Sequence, residues 1–221
     1  SVSNPVSAGI LQSPTSSKYS HIHARVDEKR YIRQIQLFHQ IINFKKLGIV
    51  YEDTVQGRSY ASVDDINALA GTMGFQVKSC IISSNKDEAK QSLIECYKLL
   101  AKSTDAIYIT THTSYKAEDL ESFIFDINAR KVPTFSQVGQ NHVKRGALLS
   151  ISRANFKFLG EFHAKVIANS FNGAVPASQE FIFEEPVKLA INIETAKMIE
   201  WDVPLMVLGI ADDIYKEIQR K

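Results

Sequence analysis

Short apolar runs recur at a nearly constant interval through the middle of the chain, and this recurrence restricts the fold more than any other feature. Ile49, Val77, Ile107 and Phe135 mark four such runs, separated by 28, 30 and 28 positions. That interval fits one strand-plus-helix unit of roughly 30 residues. The segments 47–51, 75–82, 106–110 and 133–135 read as strands, the second because Phe75, Val77 and Ile81 alternate with polar neighbours. Between them lie apolar stripes at three- and four-residue spacing: Val63, Ile66, Ala70 and Met73; Ala89, Leu93, Tyr97 and Leu100; Leu120, Phe123, Ile124 and Ile127. Asn85 and Glu88 have the spacing of a capping box, and Gly74 stands where a left-handed helix cap is wanted. The rhythm predicts an α/β fold with a doubly wound parallel sheet, because right-handed crossovers carry helices over both of its faces.

The flanks extend this pattern. Asp27 is expected to cap a helix carrying Tyr31, Ile35, Phe38 and Ile42, so the lobe begins near Ile22, and 147–151 reads as a fifth strand. Beyond it the character changes to a helix over 155–168, a turn at Asn172-Gly173, short strands near Phe181 and Ile191, and a helical end over 212–219. That tail is too thin to build a core alone.

Composition removes several function classes. The 26 basic and 24 acidic residues leave a formal charge of +2, short of the clustered positive charge that nucleic acid requires. No apolar run approaches the roughly 18 residues of a membrane span, since the richest stretch, 204–211, contains Pro204 and Gly209. The first residues lack the basic and apolar segments of a signal peptide, which is compatible with a cytosolic, processed or truncated chain. Cys80 and Cys96 are the only cysteines. They could bridge in an oxidising compartment, and the expectation is two buried free thiols.

In an open parallel sheet, ligands sit beyond the carboxyl ends of the strands. The first strand leads into Glu52, Asp53 and Thr54 and then Gly57-Arg58-Ser59, read as the opening of a helix. The third leads into Thr110, Thr111, His112, Thr113 and Ser114, and the fourth into Ser136 and Gln137. These groups suit a small polar ligand. Glu52 and Asp53 suggest the acidic pocket of a phosphoacceptor receiver, but Thr110 and Thr111 stand where that chemistry needs an aspartate. No phosphate loop, dinucleotide fingerprint, nucleophile elbow or H-E-x-x-H pair occurs, so no enzyme chemistry and no cofactor are expected. His21 and His23 lack a third metal ligand, and Trp201 and Tyr215 read as structural aromatics.

Collinear segments then carry a resemblance. Asn4-Pro5-Val6-Ser7-Ala8-Gly9, Leu47-Gly48-Ile49-Val50-Tyr51, Asp105-Ala106-Ile107-Tyr108, Val132-Pro133-Thr134-Phe135, Val143-Lys144-Arg145-Gly146-Ala147-Leu148, Leu159-Gly160 and Leu189-Ala190-Ile191-Asn192-Ile193-Glu194-Thr195-Ala196-Lys197 resemble the ABC transporter substrate-binding proteins that include tryptophan and tyrosine binders. The resemblance implies a type I periplasmic-binding-protein-like fold in which two hinged lobes close on a solute. It implies a periplasmic or extracellular, membrane-associated location and an ABC permease as partner. The alternative is an extracytoplasmic sensor domain of a signal-transduction protein. It further implies that residues 1–21 are a remnant of a first lobe and hinge, 22–152 a complete ligand-binding lobe, and 153–221 a return to the first lobe. Binding residues expected on this basis are Asn4, Glu52, Thr54, Arg58, Ser59, Thr111, His112, Gln137 and Asn155.

The chain departs from its relatives at two points. His112-Thr113 stands where they carry an Asp-Asn pair, and Asn155-Phe156 where they carry an aspartate before two aromatics. Both expected partners of a ligand ammonium are thus neutral. Arg58, with the positive end of a helix opening near Ser59, leads to the expectation of a neutral or anionic ligand.

Overall fold

A computed structural model describes residues 5, 6, 8–27, 29–83, 85–112, 117–153, 156–184 and 187–220, so Asn4 and Asn155 lie outside the described residues. The elements run α1 (Arg30–Ile42), β1 (Lys46–Glu52), α2 (Val55–Tyr60), α3 (Val63–Met73), β2 (Gln76–Ile82), α4 (Lys86–Leu100), β3 (Ala106–Ile109), α5 (Glu121–Asn128), β4 (Thr134–Ser136), α6 (Gln140–Lys144) and β5 (Leu149–Arg153). They continue through α7 (Phe156–Phe171), β6 (Val187–Asn192), α8 (Ile193–Met198), α9 (Leu205–Ile210) and β7 (Asp213–Tyr215). The chain forms two compact units, one of residues 1–30 with 153–187 and one of residues 31–152 with 188–221.

The larger unit is built on a sheet of order β2-β1-β3-β4-β5-β6-β7. Its described pairings, β1 with β2 and β3, β3 with β4, β4 with β5 and β6 with β7, are all parallel. Period-two alternation explains why both faces are covered. Leu47, Ile49, Tyr51, Ala106 and Tyr108 pack with α1, α3, α8 and α9 through Phe38, Ile66, Ala196 and Val207. Val50, Ile107 and Ile109 face the opposite way, onto α4 and α5 through Leu93, Tyr97, Phe123 and Ile124. This is the doubly wound α/β arrangement that the spacing predicts. Gly74 adopts φ 73° and closes α3 as expected, and α4 begins after Asn85, whose backbone carbonyl accepts from the Glu88 and Ala89 amides.

Two expectations need correction. The segment 212–219 is expected as a helical end, yet Asp213–Tyr215 is a strand that pairs in register with Ala190, Ile191 and Asn192. The open backbone edge of β6 needs hydrogen-bond partners, and that demand outweighs a weak local preference. The two compact units divide at 187/188, and β6 and β7 extend the sheet that holds β1. Finally, Cys80 and Cys96 are not free thiols but a disulfide, their Cα atoms 5.6 Å apart. β2 runs beside the helix that follows it, which brings the two side chains within bridging range.

The smaller unit has a modest core of Leu11, Val26 and Phe181. The expected strand near Phe181 is reduced to an isolated parallel bridge between Val26 and Ile182, with the Val26 amide donating to the Phe181 carbonyl (2.8 Å) and the Phe183 amide to the Val26 carbonyl (3.0 Å). The Phe162 ring of α7 stacks on Phe183 at 4.8 Å. His23 Nε2 lies 2.8 Å from the Glu180 carbonyl, so this imidazole serves the fold. Among the described residues no helix is long and apolar enough to cross a membrane.

Candidate functional site

The strand order reverses direction between β1 and β3, with β2 on one side and β3 through β7 on the other. At such a switch point the crossovers leave in opposite directions, and a crevice opens beyond the carboxyl ends of the two strands. A cavity of about 320 Å³ lies there. Glu52 and Thr54 come from the exit of β1, Gln56, Gly57 and Tyr60 from α2, and Thr111 and His112 from the exit of β3. Its volume falls at the lower end of the roughly 300 to 1,000 Å³ usual for small-molecule sites. A second hollow, of about 460 Å³, runs along α4 beside the disulfide, away from the strand ends.

Local chemistry sets the wall. Thr54 is the N-cap of α2, its hydroxyl accepting from the Gly57 amide at 2.9 Å. The cap turns the chain sharply and lays the first turn of α2 against the end of β1. A Cβ at Gly57 would lie 2.3 Å from the Glu52 carbonyl oxygen and 2.7 Å from the Glu52 Cβ, so only glycine permits this approach. Gln56 and Tyr60, four residues apart, then share one helix face.

The other wall rests on a buried hydrogen-bond chain. Thr110 Oγ1 donates to the Val50 carbonyl at 2.5 Å, since a carbonyl only accepts. Towards His112 Nε2, at 2.8 Å, the same oxygen is therefore the acceptor. The network assigns the His112 proton to Nε2 and its lone pair to Nδ1. The Tyr97 hydroxyl accepts from the Thr110 amide (3.2 Å) and donates to Thr110 Oγ1 (3.3 Å). Burial pushes His112 down to about 4 and Tyr97 up to about 12, so the imidazole is neutral at physiological pH.

The expected residues separate into three groups. Glu52, Thr54, Thr111 and His112 come together on the cavity wall. Gln137, buried, is spent in holding that wall: its Oε1 accepts from the Thr111 amide (2.7 Å) and its Nε2 donates to the Tyr60 carbonyl (2.7 Å). Arg58 and Ser59 are not on the wall, because α2 begins at Val55 rather than near Ser59 and both fall in its second half. Arg58 turns instead to Asp64 on α3 at 2.7 Å and to Asp53 at 3.9 Å, with its guanidinium 5.6 Å from the Tyr51 ring centre. The bond to Asp64 raises its pKa further. Gln56 and Tyr60 escaped the sequence reading, although recognising Thr54 as a helix cap would have placed both beside the strand end.

An open parallel sheet with a cavity at its switch point is consistent with the lobe of a type I periplasmic-binding-protein-like fold. Solved structures share it. A conserved domain protein from Vibrio cholerae aligns with a TM-score of 0.76 and 20% identity over 96% of this chain and 69% of that one. An ABC domain in complex with L-Trp from Streptococcus pneumoniae aligns at 0.74 and 19% over 97% and 71%. A substrate binding protein with adhesive properties from Clostridium difficile, ligand-free and open, aligns at 0.71 and 18% over 99% and 70%. At these identities the likeness is one of fold. No family model and no curated protein matches the sequence.

Proposed function

We propose that this chain is the extracytoplasmic solute-binding component of an ABC importer, holding a small polar ligand in the β1/β3 cavity and releasing it unchanged. The cavity carries this reading. It stands at the position where this sheet topology binds ligands, and it is walled by hydroxyl, amide, imidazole and carboxylate groups. The neutral His112 is anchored by Thr110, which fixes its ring on the cavity wall. The Cys80–Cys96 disulfide supports an oxidising compartment outside the cytoplasm. The chain passes between its two compact units near residues 30, 153 and 187, and these crossings are the proposed hinge, with the sheet-bearing unit as the ligand-binding lobe.

The reading is tested by a thermal-shift screen of polar metabolites followed by calorimetry. Gln56 is an exposed wall residue, so Gln56→Trp fills the cavity without disturbing the core. The expected outcome is a hit whose affinity drops at least tenfold in that variant at unchanged melting temperature. Absence of any hit, or hits indifferent to Gln56→Trp, would remove the proposal. Permease and ATPase genes beside the coding sequence support the importer, whereas a downstream kinase or cyclase domain would move the same site into a sensor.

A further inference from the structure

We infer that the cavity grips its ligand through a positively charged nitrogen set against the Glu52 carboxylate, so that the solute class is a small ammonium- or guanidinium-bearing molecule. The inference rests on the cavity being the ligand site and names what it selects. Among the described residues Glu52 is the only formally charged side chain on the wall. It is half-buried, and among the described residues no cation or hydrogen-bond donor engages its carboxylate. The neighbouring cation, Arg58, is already matched by Asp64 at 2.7 Å and Asp53 at 3.9 Å, which reverses the expectation of an anionic ligand. His112 adds no positive charge, because burial holds it neutral.

A ligand entering this space removes water from the Glu52 carboxylate. A neutral or anionic solute leaves that charge uncompensated, whereas an ammonium or guanidinium replaces the lost hydration with a charge-assisted hydrogen bond. The aromatic Tyr60 on the same wall adds a surface that tolerates a cation. The wall therefore discriminates by sign before it discriminates by shape.

Methylammonium chloride and sodium acetate are suitable probes, with side-chain NMR of Glu52 and His112 as the readout. Methylammonium should give saturable shifts at Glu52 that vanish in Glu52→Gln, while acetate gives none. In the metabolite screen, cationic hits should lose at least tenfold in affinity in Glu52→Gln, with the melting temperature unchanged. Acetate shifts without methylammonium shifts, equal responses to both, or methylammonium shifts that survive Glu52→Gln overturn the inference. The two proposals fail separately. A saturable methylammonium signal with no metabolite hit would support the charge assignment and remove the solute-binding reading, whereas metabolite hits that are all anionic would do the opposite.

Discussion

At the scale of single residues, proton placement governs both the site and its stability. Thr110 accepts from Tyr97 and His112 and donates to the Val50 carbonyl, which fixes the tautomer of the neutral imidazole. His112 and His142 are both held near pH 4, His112 by burial and His142 by burial followed by the Arg145 charge. In the unfolded chain each would titrate near about 6.5. Between those values the unfolded state binds more protons than the folded one, so stability rises with pH from about 4 to about 6.5 and is level above. Each histidine contributes up to about 3 kcal/mol to that change, at about 1.4 kcal/mol per pKa unit. Urea midpoints measured from pH 7.5 to 4.5 should hold steady and then fall steeply below about 6.5, with the slope reduced by about one proton in His142→Asn. A midpoint unchanged between pH 7 and 5 would show that these histidines become charged without cost.

At the scale of elements, the disulfide and Gln137 act at opposite ends of the site's supports. Gln137 joins the exit of β3 to the end of α2 through two bonds, so the cavity width is fixed by an amide that is itself unavailable to a ligand. β2 is the outermost strand beside β1, and most of its residues are exposed or half-exposed, so it gains little from burial. The Cys80–Cys96 bridge spans 16 positions and ties this strand to α4. A loop of that size restricts the unfolded chain by about 3 kcal/mol. Reduction, or Cys80→Ser with Cys96→Ser, should therefore lower the unfolding free energy by about that amount. Iodoacetamide added to urea-unfolded, unreduced protein should leave both cysteines unmodified by mass, and labelling of both would show that the bridge is absent.

At the scale of the whole molecule, the two compact units differ in how much apolar surface they bury. The sheet-bearing unit has a packed layer on each face of its strands. The other has a described core of three side chains, and its longest helix, α7, has no buried residue, with Phe156 73% and Phe171 89% exposed. Local stability follows buried apolar contact. Hydrogen exchange should show β1, β3 and β4 protected to the level of global unfolding while α7 exchanges faster, and limited proteolysis should cut first within 156–184. Equal protection of α7 and β3 would contradict this division.

The sequence by itself determined the elements and their layering. Apolar periods of two and of three to four residues are local properties, and they placed β1 to β5, α3, α4, α5 and the Gly74 cap. They also directed attention to Glu52, Thr54, Thr111 and His112, because a parallel sheet exposes ligands only at its strand ends. Tertiary structure alone decided the rest. Whether 213–215 is helix or strand depended on the unpaired edge of β6, and whether Cys80 meets Cys96 depended on how α4 lies along β2. Whether Arg58 lines the cavity depended on Asp64, six positions away on another helix. Each of these outcomes is a competition among partners for one group, and the winner is set by distances that no local pattern encodes.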